Sequence, residues 1–152
     1  MEGVGEQREG GSKSFNPVID GNAFAERILA QCRDFLQTVS ADRLPQLALV
    51  RVGEDPASLS YLKRKDQAAA QVGVISQTVA LPETLSKAAL LACLEQLNTD
   101  PNVHAILVQT PLPAHLNAAE VFNAIAPQKD ADGFQVSNLG RLLQGDLNGL
   151  LP

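Results

Sequence analysis

The chain has 152 residues, 45% of them hydrophobic and 19% charged, with a formal net charge of −5. That length suits one globular domain with a buried core, and the composition excludes wholesale disorder. No Lys/Arg stripe stands out against the acidic balance, which argues against nucleic acid or an anionic membrane as a partner.

Residues 1–15 are rich in Gly, Glu and Ser and lack an apolar run, so they read as a flexible leader rather than a secretory signal. Residues 16–152 then form the folded domain, and no apolar stretch is long enough to span a bilayer. The two cysteines, Cys32 and Cys93, lie far apart inside helical patterns. Neither a disulfide framework nor a zinc site has that spacing, so both read as reduced core or near-core residues, as in a cytoplasmic protein.

From Asp20 to Val39 apolar residues recur near helical spacing at Phe24, Ile28, Leu29, Phe35 and Leu36. Gln46–Val52 is short, apolar and strand-like. Asp55-Pro56 then supplies an N-cap and a first-turn proline for a helix running to Val72, with Gly73 placed to end it. Val74–Leu81 reads as a second strand. Leu85–Asn98 reads as an amphipathic helix capped by Thr84 or Ser86. His104–Gln109 is a third strand with almost no polar interruption, as a strand covered on both faces would be, and Pro111-Leu112-Pro113 must end it. Asn117 and Glu120 form a capping-box-like pair opening a short helix to Ile125. A turn-rich segment, Pro127–Gly133, leads to a last helix over Asn138–Leu143. Strands separated by helices of this length imply right-handed crossovers. The expected class is α/β, a three-layer α/β/α fold with a mostly parallel sheet.

In such a sheet ligands gather at the carboxyl ends of the strands. That rule singles out Gly53–Lys65, Val108–Pro113 and the turn around Asp130–Gly133. Tyr61 and Lys65 are one helical turn apart on one face, which suits a flat heteroaromatic ligand: the ring stacks while the lysine reaches a reacting atom. Desolvation lowers a lysine pKa readily and makes the group usable in proton transfer. The same spacing also describes a half-buried tyrosine beside a solvated lysine. Gln109, at the mouth of a buried strand, can donate and accept toward a ligand, or simply face solvent. Asp130 and Asp132 fit turn chemistry, and the oxygen ligands of a calcium loop are missing, so no metal is expected. His104 and His115 have no companions at ligand spacing; core packing for the first and loop exposure for the second are expected.

The order of these motifs is more specific than any one of them. Val52-Gly53, Pro56-Ala57-Ser58, Tyr61 and Lys65 come first, followed by Ile106-Leu107-Val108-Gln109 and Pro111-Leu112-Pro113. Lys129-Asp130, Asp132-Gly133-Phe134, Asn138 and Gly140-Arg141-Leu142 complete the series. From about Ile19 to Pro152 the series resembles the methylenetetrahydrofolate dehydrogenase/cyclohydrolase family. The resemblance implies that 16–152 is the folate-binding catalytic domain, which in that family faces a Rossmann-type domain holding NADP or NAD. It implies that Tyr61 stacks on the folate, that Lys65 is the main catalytic group, that Gln109 works with it, and that Asp132 holds the pterin end. Val108 and Thr110 join these four as folate contacts. Such enzymes oxidise methylenetetrahydrofolate by hydride transfer and hydrolyse the methenyl product to formyltetrahydrofolate, in the cytoplasm, as homodimers, in support of purine biosynthesis.

Two departures stand out: Ala105 where glycine is frequent, and Thr110 where leucine is usual. No Gly-x-Gly-x-x-Gly loop occurs, so no cofactor-binding residue is assigned in this chain. The expectation is a fragment lacking the nucleotide-binding domain, with little dehydrogenase activity alone. The alternative is a stand-alone, non-enzymatic folate-binding or dimerising module of the same family. Short-chain dehydrogenases also place Tyr-x-x-x-Lys on a helix, but they need a glycine-rich cofactor loop ahead of it, which is missing here.

Overall fold

The computed structural model describes residues 20–146. The predicted leader therefore lies outside the described residues. Helix α1, Gly21–Leu36, opens where the Asp20 carboxylate accepts from the Ala23 N–H at 3.0 Å. After a 3-10 turn at Ala41–Arg43 comes strand β1, Gln46–Val52, as expected. Helix α2, Pro56–Val72, is bounded as its sequence dictates. The Asp55 side chain caps Ser58 N at 2.8 Å, and Gly73 ends the helix at φ +92°, a left-handed conformation that a Cβ disfavours.

Strand β2, Ile75–Leu81, follows, then helix α3, Lys87–Thr99, with Ser86 rather than Thr84 as its cap. Strand β3, Ala105–Val108, is shorter than the apolar run suggested. Helix α4, Ala118–Asn123, is capped by Asn117, and a 3-10 turn at Pro127–Lys129 leads on. Helix α5, Val136–Leu143, starts two residues earlier than predicted because the Gln135 side chain caps Ser137 N. The Thr110–Pro111 peptide is cis.

The sheet has the order β2-β1-β3, with both pairings parallel. Alternation along β1 divides the core. Ala48, Val50 and Val52 join Ile106 and Val108 on one face, against Leu90 and Leu94 of α3 and Val121 of α4. Leu49 and Leu107 turn the other way, against Leu62 of α2. The three-layer arrangement expected from the sequence is thus present. The chain leaves β1 toward one layer and β3 toward the other, which opens a crevice between their carboxyl ends.

Two sequence expectations are corrected. Cys32 is exposed, because α1 buries no residue; the helix leans on α2, where Arg33 Nε donates to the Gln71 carbonyl at 3.1 Å. His104 is exposed rather than core: it lies just ahead of β3, and its Nδ1 accepts the Gln46 N–H at 3.2 Å. Cys93 is half-buried, and burial pushes its thiol pKa up. His115 is exposed as expected, with Nε2 2.9 Å from the Leu85 carbonyl oxygen.

Candidate functional site

Along α2 the residues Ser58, Leu62, Ala69 and Val72 are buried, a stripe at helical spacing that faces the sheet. Lys65 sits within this stripe, three residues after Leu62 and four before Ala69, and is half-buried. Its stem therefore lies along apolar surface while the ammonium reaches the strand ends. There Lys65 Nζ stands 3.4 Å from Gln109 Oε1, a long contact of the kind that tightens around a ligand.

Gln109 is held from two sides. Its backbone N–H donates to the Val50 carbonyl at 2.8 Å, extending the β1–β3 ladder by one bond, and its Nε2 donates to the Thr110 carbonyl at 2.7 Å. The Thr110 carbonyl also accepts from the Ser58 hydroxyl at 3.2 Å. Thr110 is exposed. The Val108 side chain is packed in the core, so that residue meets the crevice only through its backbone.

The turn after α4 brings the third component. Asp130 forms an isolated parallel bridge with Ile106, and the Ala131 N–H donates to the Ile106 carbonyl at 3.1 Å, so the turn adds to the free edge of β3. Asp130 is only 1% exposed; its Oδ2 accepts from Gln135 N at 2.8 Å and from Asn138 Nδ2 at 3.0 Å. Lys129 Nζ reaches the Leu97 and Asp100 carbonyls at 3.1 and 2.7 Å, tying the turn to the end of α3. The two aspartates thus divide their work: Asp130 builds the turn, and Asp132, half-buried, meets the field of Lys65.

Burial holds the Asp132 carboxyl above its ordinary value of 3.8; the Lys65 charge pulls it down, and the Asp130 charge adds to the rise. A raised value in the folded state means that ionisation of Asp132 opposes folding. The stability attached to its neutral form is complete below pH 3.8 and is lost as pH rises through the raised value. Asp132→Asn is therefore expected to melt at a higher temperature than the parent at neutral pH, with the difference closing in acid. Thermal melts at the two pH values check this.

Tyr61 lies on the rim, 57% exposed, with Arg64 Cζ 6.0 Å from its ring centroid. The structure thus joins Lys65, Gln109 and Asp132 and leaves Tyr61 open beside them. Ser58, Asp130 and Asn138 stand in the sequence motifs, but spacing assigns them no role. For Ser58 the available signal was its position on the apolar stripe of α2.

No group of three or more His, Cys, Asp or Glu residues that could hold a metal occurs among the described residues. A cavity of about 380 Å³ at the end of β1 is lined by Gly53, Glu54, Asp55, Glu83 and Pro111. In a dinucleotide-binding unit the helix N-terminus after the strand takes the pyrophosphate. Here that N-terminus is taken by the Asp55 carboxylate, with Glu54 and Glu83 beside it. This helix N-terminus does not fit the pyrophosphate of a nicotinamide nucleotide.

The family described as tetrahydrofolate dehydrogenase/cyclohydrolase, catalytic domain, matches residues 19–132. Bifunctional protein FolD of Cereibacter sphaeroides is 50% identical over 129 residues, covering 84% of this chain and 44% of that protein. The bifunctional FolD enzyme of Campylobacter jejuni superposes with a TM-score of 0.84 at 36% identity, over 88% of this chain and 48% of that one. The Trypanosoma brucei enzyme, solved with NADP cofactor and inhibitor, gives a TM-score of 0.76 at 34% identity, over 82% of this chain and 43% of that one. The chain spans less than half the length of these relatives.

Proposed function

The chain belongs to the tetrahydrofolate dehydrogenase/cyclohydrolase family of folate-metabolising enzymes, and from that premise we propose that its crevice binds the folate and carries the hydrolytic half of the reaction. The observation that carries this reading is the meeting of Lys65, Gln109 and Asp132 from three separate segments at the strand ends. A lone ion pair or a solvated lysine would not require an amide anchored to face it.

In the proposed reaction the methenyl carbon between two folate nitrogens is the electrophile. Water adds to it, and the Lys65 amine takes the proton that the water loses. As the tetrahedral adduct collapses, one C–N bond breaks, Lys65 returns the proton to the departing nitrogen, the adduct hydroxyl releases its remaining proton to solvent, and the carbon becomes a formyl group. Gln109 Oε1 accepts from Lys65 and holds it toward the carbon. The Asp132 carboxylate accepts pterin N–H groups and fixes the ring, while Tyr61 stacks on it. When bound, a nicotinamide nucleotide, NADP or NAD, supplies the hydride acceptor for the preceding oxidation. The acidic surroundings of the α2 N-terminus disfavour a pyrophosphate there, which supports a nucleotide site outside the described residues. A cytoplasmic, homodimeric enzyme supplying one-carbon units for purine biosynthesis is part of the same proposal. No described helix is long and apolar enough to cross a membrane.

Tyr61 is the only tyrosine in a chain without tryptophan, so its fluorescence reports on one ring at the proposed site. Titration with tetrahydrofolate, corrected for absorbance by the ligand, is expected to quench that emission saturably. A linear, non-saturating response would overturn the reading.

A further inference from the structure

Gln109 presents one acceptor and one donor end, and which end faces Lys65 decides what the pair can do. The donor end is fixed by the Thr110 carbonyl at 2.7 Å, which leaves Oε1 toward Lys65. A flipped amide would set oxygen against oxygen at Thr110 and N–H against the lysine hydrogens. The position of that one carbonyl therefore selects the working orientation, and its second partner is the Ser58 hydroxyl, 52 residues away in sequence, at 3.2 Å.

We propose that Ser58 is a positioning residue for hydrolysis: by holding the Thr110 carbonyl it orients the Gln109 amide toward Lys65. Four buried polar residues occur among the described ones, Ser58, Asp130, Gln135 and Asn138, and the last three tie the turn that carries Asp132 to the start of α5. Ser58 alone lies on α2, 7% exposed, two turns before Lys65 on the same stripe. Its N–H is already taken by Asp55 at 2.8 Å, which caps the helix, and its hydroxyl is shared between the same carboxylate and the Thr110 carbonyl. The bond to Thr110 joins the helix carrying Lys65 to the strand end carrying Gln109. Both partners of the proton-transfer pair are thereby referred to a single carbonyl oxygen.

The inference rests on the folate reading for its kinetic arm but not for its spectroscopic one. In the full chain, the Gln109 side-chain amide protons are expected to exchange slowly with water and to show nuclear Overhauser contacts to the Ser58 β-protons. Ser58→Ala is expected to move that amide to the shifts of a solvent-exposed glutamine, and Ser58→Thr, which keeps the hydroxyl, to restore it. For methenyltetrahydrofolate hydrolysis, Ser58→Ala is expected to lower kcat about tenfold with KM changed less than about twofold, again rescued by threonine. A parent Gln109 amide that exchanges freely and lacks the Ser58 contacts overturns the proposal even if Ser58→Ala does not fold. So does a folded Ser58→Ala in which the Gln109 amide does not move and only the melting temperature falls. Failure of the parent chain to bind tetrahydrofolate counts against the folate reading, while the amide spectra still decide the role of Ser58.

Discussion

Lys65→Ala is expected to reduce methenyltetrahydrofolate hydrolysis by about 10²- to 10⁴-fold, to the spontaneous rate, while the protein stays folded. In the proposed reaction the loss should fall on kcat, because Tyr61 and Asp132 would hold the substrate ring while Lys65 would act on the reacting carbon. Lys65 is half-buried and its one hydrogen-bond partner among the described residues is Gln109 at 3.4 Å, so removal leaves an amide that water can satisfy. Disappearance of methenyl absorbance, followed for the parent and the variant beside a protein-free control, measures the effect. Equal rates in parent and variant, both above the control, would remove Lys65 from the chemistry.

Asp130→Ala is the substitution expected to do most harm to the structure without touching the proposed ligand. Its carboxylate accepts from Gln135 N and Asn138 Nδ2, at 2.8 and 3.0 Å, in a nearly inaccessible position. Truncation leaves those buried donors short of a partner and opens a small void, together about 2–4 kcal/mol of stability. Urea unfolding measures it. Asn138 also donates to the Pro127 carbonyl at 3.0 Å, so it keeps one bond when the carboxylate goes, and the damage should concentrate on the turn that carries Asp132. Asp130→Asn keeps an acceptor oxygen and should cost less. A change within experimental error for Asp130→Ala would mean that the turn is held by its bridge to Ile106 instead.

These two residues show how far the sequence could be read. Local signals were decisive where the physics is local: Asp55 and Gly73 bound α2 as predicted, and β1 spans the residues its apolar run indicated. Lys65, Gln109 and Asp132 could be nominated from their places after the strands and from the family resemblance, and the structure brings them together. Asp130 could not be assigned, because a turn aspartate that faces water and one that accepts two buried bonds have the same sequence signature. Ser58 was hidden similarly, since its partner is a backbone carbonyl across the fold and leaves no residue pattern. His104 was misplaced because the strand begins one residue after it, and Cys32 for a reason related to that of Ser58. A helical period shows which face is apolar but not whether anything covers it, and α1 keeps Phe24, Ile28 and Phe35 exposed.

The unequal lengths of the two ladders bear on how the molecule opens. β1 and β2 pair over seven residues each, whereas β3 contributes four. Every segment of the crevice beyond α2 hangs on the shorter ladder: Gln109 at its end, and the Asp132 turn along its outer edge. Partial unfolding should begin there, dissolving the site while the β1–α2–β2 unit persists. A ligand spanning α2 and the end of β3 would bind only the closed form and so would fasten the weaker ladder by mass action. A bound ligand would then be part of what keeps this half of the sheet assembled, and the chain's resistance to proteolysis would follow the supply of that ligand.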